Sequence, residues 1–454
     1  MDNKEYIQIL IKNATEAQKK YENFNQQQVD AIVKAIARVV YDNAVELARM
    51  AIDETQMGVF EDKVKKNQGK AKIIWNDLKN KKSVGILNYN AVTGVMEVAK
   101  PMGIIGMVTP CTNPIVTPMC NAMFALKGRN SIIIAPHPKA KKCARRLVDM
   151  FNEAIKEFNA PENLIQIIDE PTIELSTELM KAVDVIVATG GMGMVKAAYS
   201  SGKPAYGVGV GNVQCIIDRN VNIQDAISKI ITGRTFDNGI ICSGEQAIII
   251  HEDDYAGVVK ELKENGAYYI EDEEEKEKLR KALFVDGITN RHLVGQSIDK
   301  VAEYAGIKIP DQTKLIAVRA DGVGKADILS KEKMCPVITT YKYKTFKEAI
   351  DIAIANLEVE GKGHTIAIHS NNRENIEYAA TTVHVCRVLV NQIGATMNGG
   401  SFFNGFTPTT TLGCGSWGNN SISENLGYEH FINITRIGYL LKDVKEPTDQ
   451  EIWE

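Results

Sequence analysis

Four short apolar runs, each followed by a stretch of helical periodicity, restrict this chain more than any other feature. GIIGMV (103–108), SIIIAP (131–136), LIQII (164–168) and DVIVAT (184–189) are too short for buried helices and too uniformly apolar for strands with one wet face. Such runs alternating with helices are the mark of βαβ units around a parallel sheet covered on both sides. After QCIID (214–218) the series restarts with a helix over 223–233, then QAIII (246–250), LIAV (315–318), HTIAIHS (364–370) and VLVNQ (388–392). The fold class is therefore α/β. Two α/β domains are expected, over 1–220 and 221–425, dividing near 218–225, with 426–454 returning to the first domain or to an oligomer interface.

The 454 residues are enough for two or three domains. Val29, Ile32, Val33, Ile36, Val39 and Val40 share the 3/4 spacing of one buried helix face, and a polar helix follows over about 62–80. VGILNYNAVTGVMEVAKP (84–101) places short apolar segments around a Val-Thr-Gly turn and predicts a hairpin-like excursion. The acidic run 271–281 reads as a solvent-facing helix. The Gly/Ser/Asn-rich stretch 393–425 reads as a long irregular segment, and such segments often carry function.

A net charge of −4 gives no reason to expect nucleic acid or an anionic membrane as partner. No apolar stretch approaches a membrane span, and the run Ile7–Ile11 is too short for a signal segment. Eight cysteines with no CxxC pair read as free thiols of a reducing, cytoplasmic compartment. The seven histidines form no ligand pair with a matching partner, so no metal is expected.

TGGMGMVK (189–196) follows a strand and opens a helix, a place where backbone N–H groups meet anionic cofactors, although it lacks the third glycine of a dinucleotide fingerprint. GVGVGNV (207–213) reads as a strand-to-turn connection with close backbone packing. No GxSxG elbow is present, which leaves cysteine as the candidate nucleophile. Cys242 in FDNGIICSGEQ and Cys414 in LGCGSWG both sit in small, polar loops open to a substrate. Local sequence does not separate the two.

Taken in order, TPCTNP (109–114), APHP (135–138), FDNGIICSGEQ (236–246), EKMCP (332–336) and LGCGSWGNNSISEN (412–425) resemble the aldehyde dehydrogenase superfamily over nearly the whole chain, and its CoA-acylating branch in particular. Within that branch the chain is similar to the clostridial succinate-semialdehyde dehydrogenases. The resemblance implies a Rossmann-type cofactor domain and a catalytic thiol domain, with the hairpin at 84–101 serving oligomerisation of a homodimer or larger assembly. It implies Cys242 as the thiol that forms an acyl thioester and Asn113 as the side-chain donor to the oxyanion. Thr109 and Pro110 then line the nicotinamide site, and His137, Pro138 and Lys139 lie near the adenosine ribose. Thr189, Gly190 and Gly191 lie beneath the pyrophosphate, and Glu332 holds the nicotinamide ribose. Cations at His137 and Lys139 point to NADP, with NAD possible, and CoA is the co-substrate.

Hydrolytic members of the superfamily carry a water-activating glutamate about 35 residues before the thiol, where this chain has Tyr206 to Asn212 and no acid. That departure favours transfer of the acyl group to CoA over a hydrolytic dehydrogenase, the main alternative. An acyl-phosphate reductase and a non-catalytic scaffold are the others. For a substrate with a distal carboxylate, Arg234 and Ser243 are the expected binding residues, with Arg387 a weaker candidate.

Overall fold

The computed structural model describes residues 2–454. Five parallel strands form the first sheet, in the spatial order Ile165–Ile167, Ser131–Pro136, Ile104–Thr109, Val185–Thr189 and Ala205–Val208. Successive side chains of a strand face opposite sides, so a sheet covered on both sides needs apolar residues at every position. Ile132 and Ile134 accordingly join the core beneath the helices Gln26–Asp42, Val116–Lys127 and Lys141–Lys156. Ile133 and Ala135 join the core against Asn3–Tyr21 and Ile173–Ala182. The strand order, with the first-formed strand central, has its switch point between Ile104–Thr109 and Val185–Thr189, whose carboxyl ends open a ligand crevice.

A second, seven-stranded parallel sheet runs Ala267–Ile270, Leu315–Arg319, Val337–Tyr343, Glu245–His251, Val213–Ile217, Ile366–His369 and Val388–Val390. Val213–Ile217 lies inside this sheet, with paired strands on both sides. This corrects the division expected near 218–225: the chain crosses between sheets at 209–212, and QCIID opens the second sheet rather than closing the first. The acidic segment forms the helix Glu273–Leu283, tied at its Lys276 and Arg280 to Asp321.

The third sheet is small and antiparallel. Gly85–Asn90 and Val95–Pro101 make the hairpin, and the late strand Ile432–Gly438 pairs with its second arm from Ile432↔Pro101 to Gly438↔Val95. Ile86, Tyr89, Val92, Tyr439 and Leu440 are exposed on this excursion. Among the described residues no helix is long and apolar enough to cross a membrane.

Candidate active site

The helix Ile223–Thr235 ends in a turn that three consecutive residues complete in the left-handed region: Asp237 (φ 52°), Asn238 (φ 54°) and Gly239 (φ 69°). Asp and Asn visit that region at lower cost than other non-glycine residues. Asn238 Nδ2 secures the turn by donating to Gly295 O at 3.0 Å. Cys242 follows, three residues before the strand Glu245–His251, and so stands at the amino edge of the seven-stranded sheet. The crossing segment passes directly over it: a β-carbon on Gly211 would lie 1.8 Å from the Cys242 carbonyl oxygen. Only glycine fits there.

Arg234 holds this loop from behind and does not reach substrate. It is fully buried; Nε donates to Cys335 O at 3.0 Å, Nη1 to Glu245 O at 3.2 Å, and Nη2 to Gly239 O at 3.1 Å and again to Cys335 O. The expectation that Arg234 binds a substrate carboxylate is therefore corrected: its donors are spent on backbone carbonyls, and it does not line the cavity at Cys242. Arg387 is likewise buried and directed to the carbonyls of His364 and Gly413.

A cavity of about 420 Å³ opens at Cys242, walled by Asn113, Val116, Phe236, Ser243, Thr396 and Thr410. It thus brings together three residues named from sequence: Cys242, Asn113 and Ser243. Three lysines, Lys65, Lys66 and Lys70, also line it from the helix Phe60–Leu78. Sequence reading treated that helix as solvated. The missed signal is Lys63, Lys66 and Lys70 at 3/4 spacing, which puts three ammonium groups on one stripe that also carries buried Asn67 and Ile74. Lys66 Nζ donates to Asn113 Oδ1 at 2.6 Å and to Asp237 Oδ2 at 2.5 Å. Lys70 Nζ meets only carbonyls, Gly399 O at 2.9 Å and Thr409 O at 3.2 Å. Burial lowers the Lys70 pKa to about 8. Thr410 Oγ1 beside it has no hydrogen-bond partner.

Cys414 lies elsewhere. It is 3% exposed, donates to Leu412 O at 3.4 Å, and borders a separate hollow of about 330 Å³ with Trp417, Glu360 and Gly209. The two thiols that sequence leaves equivalent are thus separated by their surroundings. Burial pushes Cys242 up to about 12, reinforced by the charge of Glu332 and by Cys414, and opposed by Arg387 and the residue's own N–H. That desolvation favours the neutral thiol. Glu332 is buried with its Oε1 accepting from Gly211 N at 3.1 Å, and burial, aided by Glu360, raises it to about 7.

The other residues expected around a cofactor gather at the carboxyl edge of the five-stranded sheet. Thr109 and Thr189 end strands that flank the switch point, Pro110 follows the first, and Gly190 and Gly191 lead into the helix Met192–Tyr199. His137, Pro138 and Lys139 follow the strand Ser131–Pro136, where His137 Nδ1 accepts from Lys139 N at 3.1 Å. The turn has the features an anionic cofactor group needs: among the described residues Thr189 Oγ1 is buried without a partner, and nothing occupies the space where a side chain at Gly191 would lie.

Residues 1–278 match the model of the aldehyde dehydrogenase family. The chain belongs to that family. It is 55% identical over 453 residues to a succinate-semialdehyde dehydrogenase (acetylating) of Clostridium kluyveri, with 100% of both chains covered. An acetylating aldehyde dehydrogenase from Geobacillus thermoglucosidasius superposes with a TM-score of 0.94 at 40% identity, over 98% of each chain. A propionaldehyde dehydrogenase of Rhodopseudomonas palustris, solved with bound CoA and an acylated cysteine, superposes with a TM-score of 0.86 at 28% identity, over 95% of this chain and 97% of that one. These likenesses place this aldehyde dehydrogenase on the family's acylating branch.

Arg234→Met would strip donors from three buried carbonyls, each of which costs roughly 1–3 kcal/mol when left unpaired. The expected result is a lower thermal midpoint and an equal loss of activity on charged and uncharged aldehydes, read by differential scanning calorimetry and steady-state kinetics. A loss confined to semialdehydes would return Arg234 to the substrate pocket.

Proposed function

We propose that this dehydrogenase interconverts succinate semialdehyde and succinyl-CoA: RCHO + CoA + NAD(P)⁺ ⇌ RCO–CoA + NAD(P)H + H⁺, with the acyl group held as a thioester on Cys242. The observation that carries the substrate is Lys70. A cation in a desolvated wall is costly unless paired, and among the described residues no carboxylate comes within ion-pair distance of its ammonium. Lys70, Ser243 and Thr410 line the cavity that holds the nucleophile. The distal carboxylate of a semialdehyde whose carbonyl lies at Cys242 supplies the missing anion. The Clostridium kluyveri relative acts, by its name, on this semialdehyde.

Chemistry begins when the Cys242 thiolate attacks the aldehyde carbon, giving an alkoxide stabilised by the Cys242 N–H and the Asn113 amide. A nicotinamide cofactor, held at Thr109, Pro110, Thr189, Gly190, Gly191 and Glu332, supplies the acceptor for the hydride. The thioester that remains meets no acid from the glycine-rich segment Tyr206 to Asn212, and Glu332 is already engaged by Gly211. Water is poorly activated, so the acyl group waits for the CoA thiol. Lys139 and Arg291, the cations bearing on half-buried His137, favour the 2′-phosphate of NADP. The exposed apolar excursion at 84–101 favours self-association. The NADP-to-NAD ratio of kcat/KM and light scattering of the full chain read these two points directly.

Mixed with aldehyde and cofactor in the absence of CoA, the enzyme should release a burst near one reduced cofactor per active site and then nearly stop. Adding CoA should restore turnover. Continuous free-acid production at the CoA-supported rate would overturn the acylating assignment.

Lys70 also sets a pH dependence. Its folded pKa is depressed to about 8, so the ammonium that binds the carboxylate is present below that pH and lost above it. The kcat/KM for succinate semialdehyde should therefore acquire a falling alkaline limb near pH 8 that butyraldehyde lacks. Lys70→Met should abolish that difference and raise KM for the semialdehyde by about 10–100-fold, the worth of a charge-assisted hydrogen bond. Equal effects on both aldehydes would remove Lys70 from carboxylate recognition.

A further inference from the structure

Asn113 is held by a charge network that the reaction as described does not use. An ammonium only donates, so the Asn113 atom 2.6 Å from Lys66 Nζ must be the amide oxygen. The amide Nδ2 is thereby left as the donor. Lys66 is held in turn by Asp237, fully buried in the left-handed turn five residues before Cys242. Asp237 also accepts from Val59 N at 2.9 Å and from Lys63 Nζ at 3.1 Å, while its own N–H donates to Asp62 Oδ2 at 2.9 Å. Every one of these partners comes from the helix Phe60–Leu78 or the residue that leads into it.

We infer that Lys66 and Asp237 are the positioning residues of the oxyanion site. Asp237 links the nucleophile turn to Lys66, and Lys66 links to the amide, so the two halves of the site are held in register although they come from different domains. The Lys66 ammonium donates directly to Asn113 Oδ1 and so stands as a positive charge behind the amide. It polarises the Asn113 carbonyl, making Nδ2–H a stronger donor, and it favours the alkoxide over the neutral aldehyde. This inference rests on the reading of Asn113 as oxyanion donor, and its test separates the two.

The rate of the reduced-cofactor burst is measured by rapid mixing, with succinate semialdehyde and with butyraldehyde. Lys66→Met should slow it by about 10–100-fold for both aldehydes with little change in KM, somewhat less than the loss on deleting an oxyanion donor itself. Lys66→Arg, which keeps the charge and the donors, should recover most of the rate. In an Asn113→Ala background, itself slowed by about 10²–10³-fold, the further loss from Lys66→Met should shrink to under about threefold. Losses that multiply in the double variant, or a full burst rate in Lys66→Met, would overturn the positioning role. A full burst rate in Asn113→Ala would instead overturn the oxyanion assignment itself. Should Lys66→Met fail to fold, Asp237→Asn weakens the hold on Lys66 while preserving shape, and the same comparison with Asn113→Ala applies.

Discussion

Arg234 is enclosed by the fold with no carboxylate within ion-pair reach among the described residues, and its guanidinium donates instead to the carbonyls of Gly239, Glu245 and Cys335. Those carbonyls belong to three separate pieces of chain: the left-handed turn before the thiol, the first residue of the strand after it, and the approach to the strand Val337–Tyr343. Carbonyls turned inward at a tight turn have no water to bond with, and leaving them bare would open the loop. The planar fork of arginine serves three directions from one side chain, which a lysine point charge does not reproduce. The location of Cys242 depends on this arrangement, and so does the close pass of Gly211 over its carbonyl.

The meeting of cofactor crevice and thiol follows from connectivity. Ala205–Val208 is the last strand of the first sheet and Val213–Ile217 the first of the second, with only 209–212 between them. Four residues span little more than 13 Å, so the carboxyl edge of one sheet must face the amino edge of the other. Dinucleotides bind at carboxyl edges of parallel sheets, while Cys242 enters its strand from the amino edge. A short crossing therefore brings the two together without any long loop. It also explains the glycines of 207–211, since the segment has to pass between the thiol loop and Glu332, whose carboxylate takes up the Gly211 N–H.

Much of this was legible in the sequence because the apolar runs are buried on both faces and leave a strong pattern. The strands appear where the runs lie, and the hairpin appears where Val92-Thr93-Gly94 breaks two extended segments. The domain boundary was misplaced because QCIID carries the same apolar signature as the strands before it, and pattern alone does not say which sheet a strand joins. Arg234 was misjudged for a related reason: a cation eight residues before a nucleophile looks available until its partners are known, and backbone carbonyls have no sequence signature. Lys66 and Lys70 went unnoticed because lysines on a helix usually mark its wet face. Here the 3/4 stripe that carries them coincides with buried Asn67 and Ile74, so the stripe faces the interdomain cleft.

Desolvation governs the charges of the cleft. Burial raises the Cys242 thiol to about 12 and Glu332 to about 7, and the same desolvation lowers Lys63 and Lys70 to about 8. Each group is pushed toward its neutral form, the ordinary response of ionisable residues to a dry wall. A substrate carboxylate at Lys70 works against that push, because an anion beside the ammonium restores the charged form that the empty wall disfavours. The alkoxide of the proposed reaction is a second negative charge in the same small volume, where Arg387 and Lys70 already bear on Cys242 and Lys66 stands behind Asn113. The helix Phe60–Leu78 thus sets Lys66 and Lys70 against the negative charge that the proposed reaction gathers in the cleft.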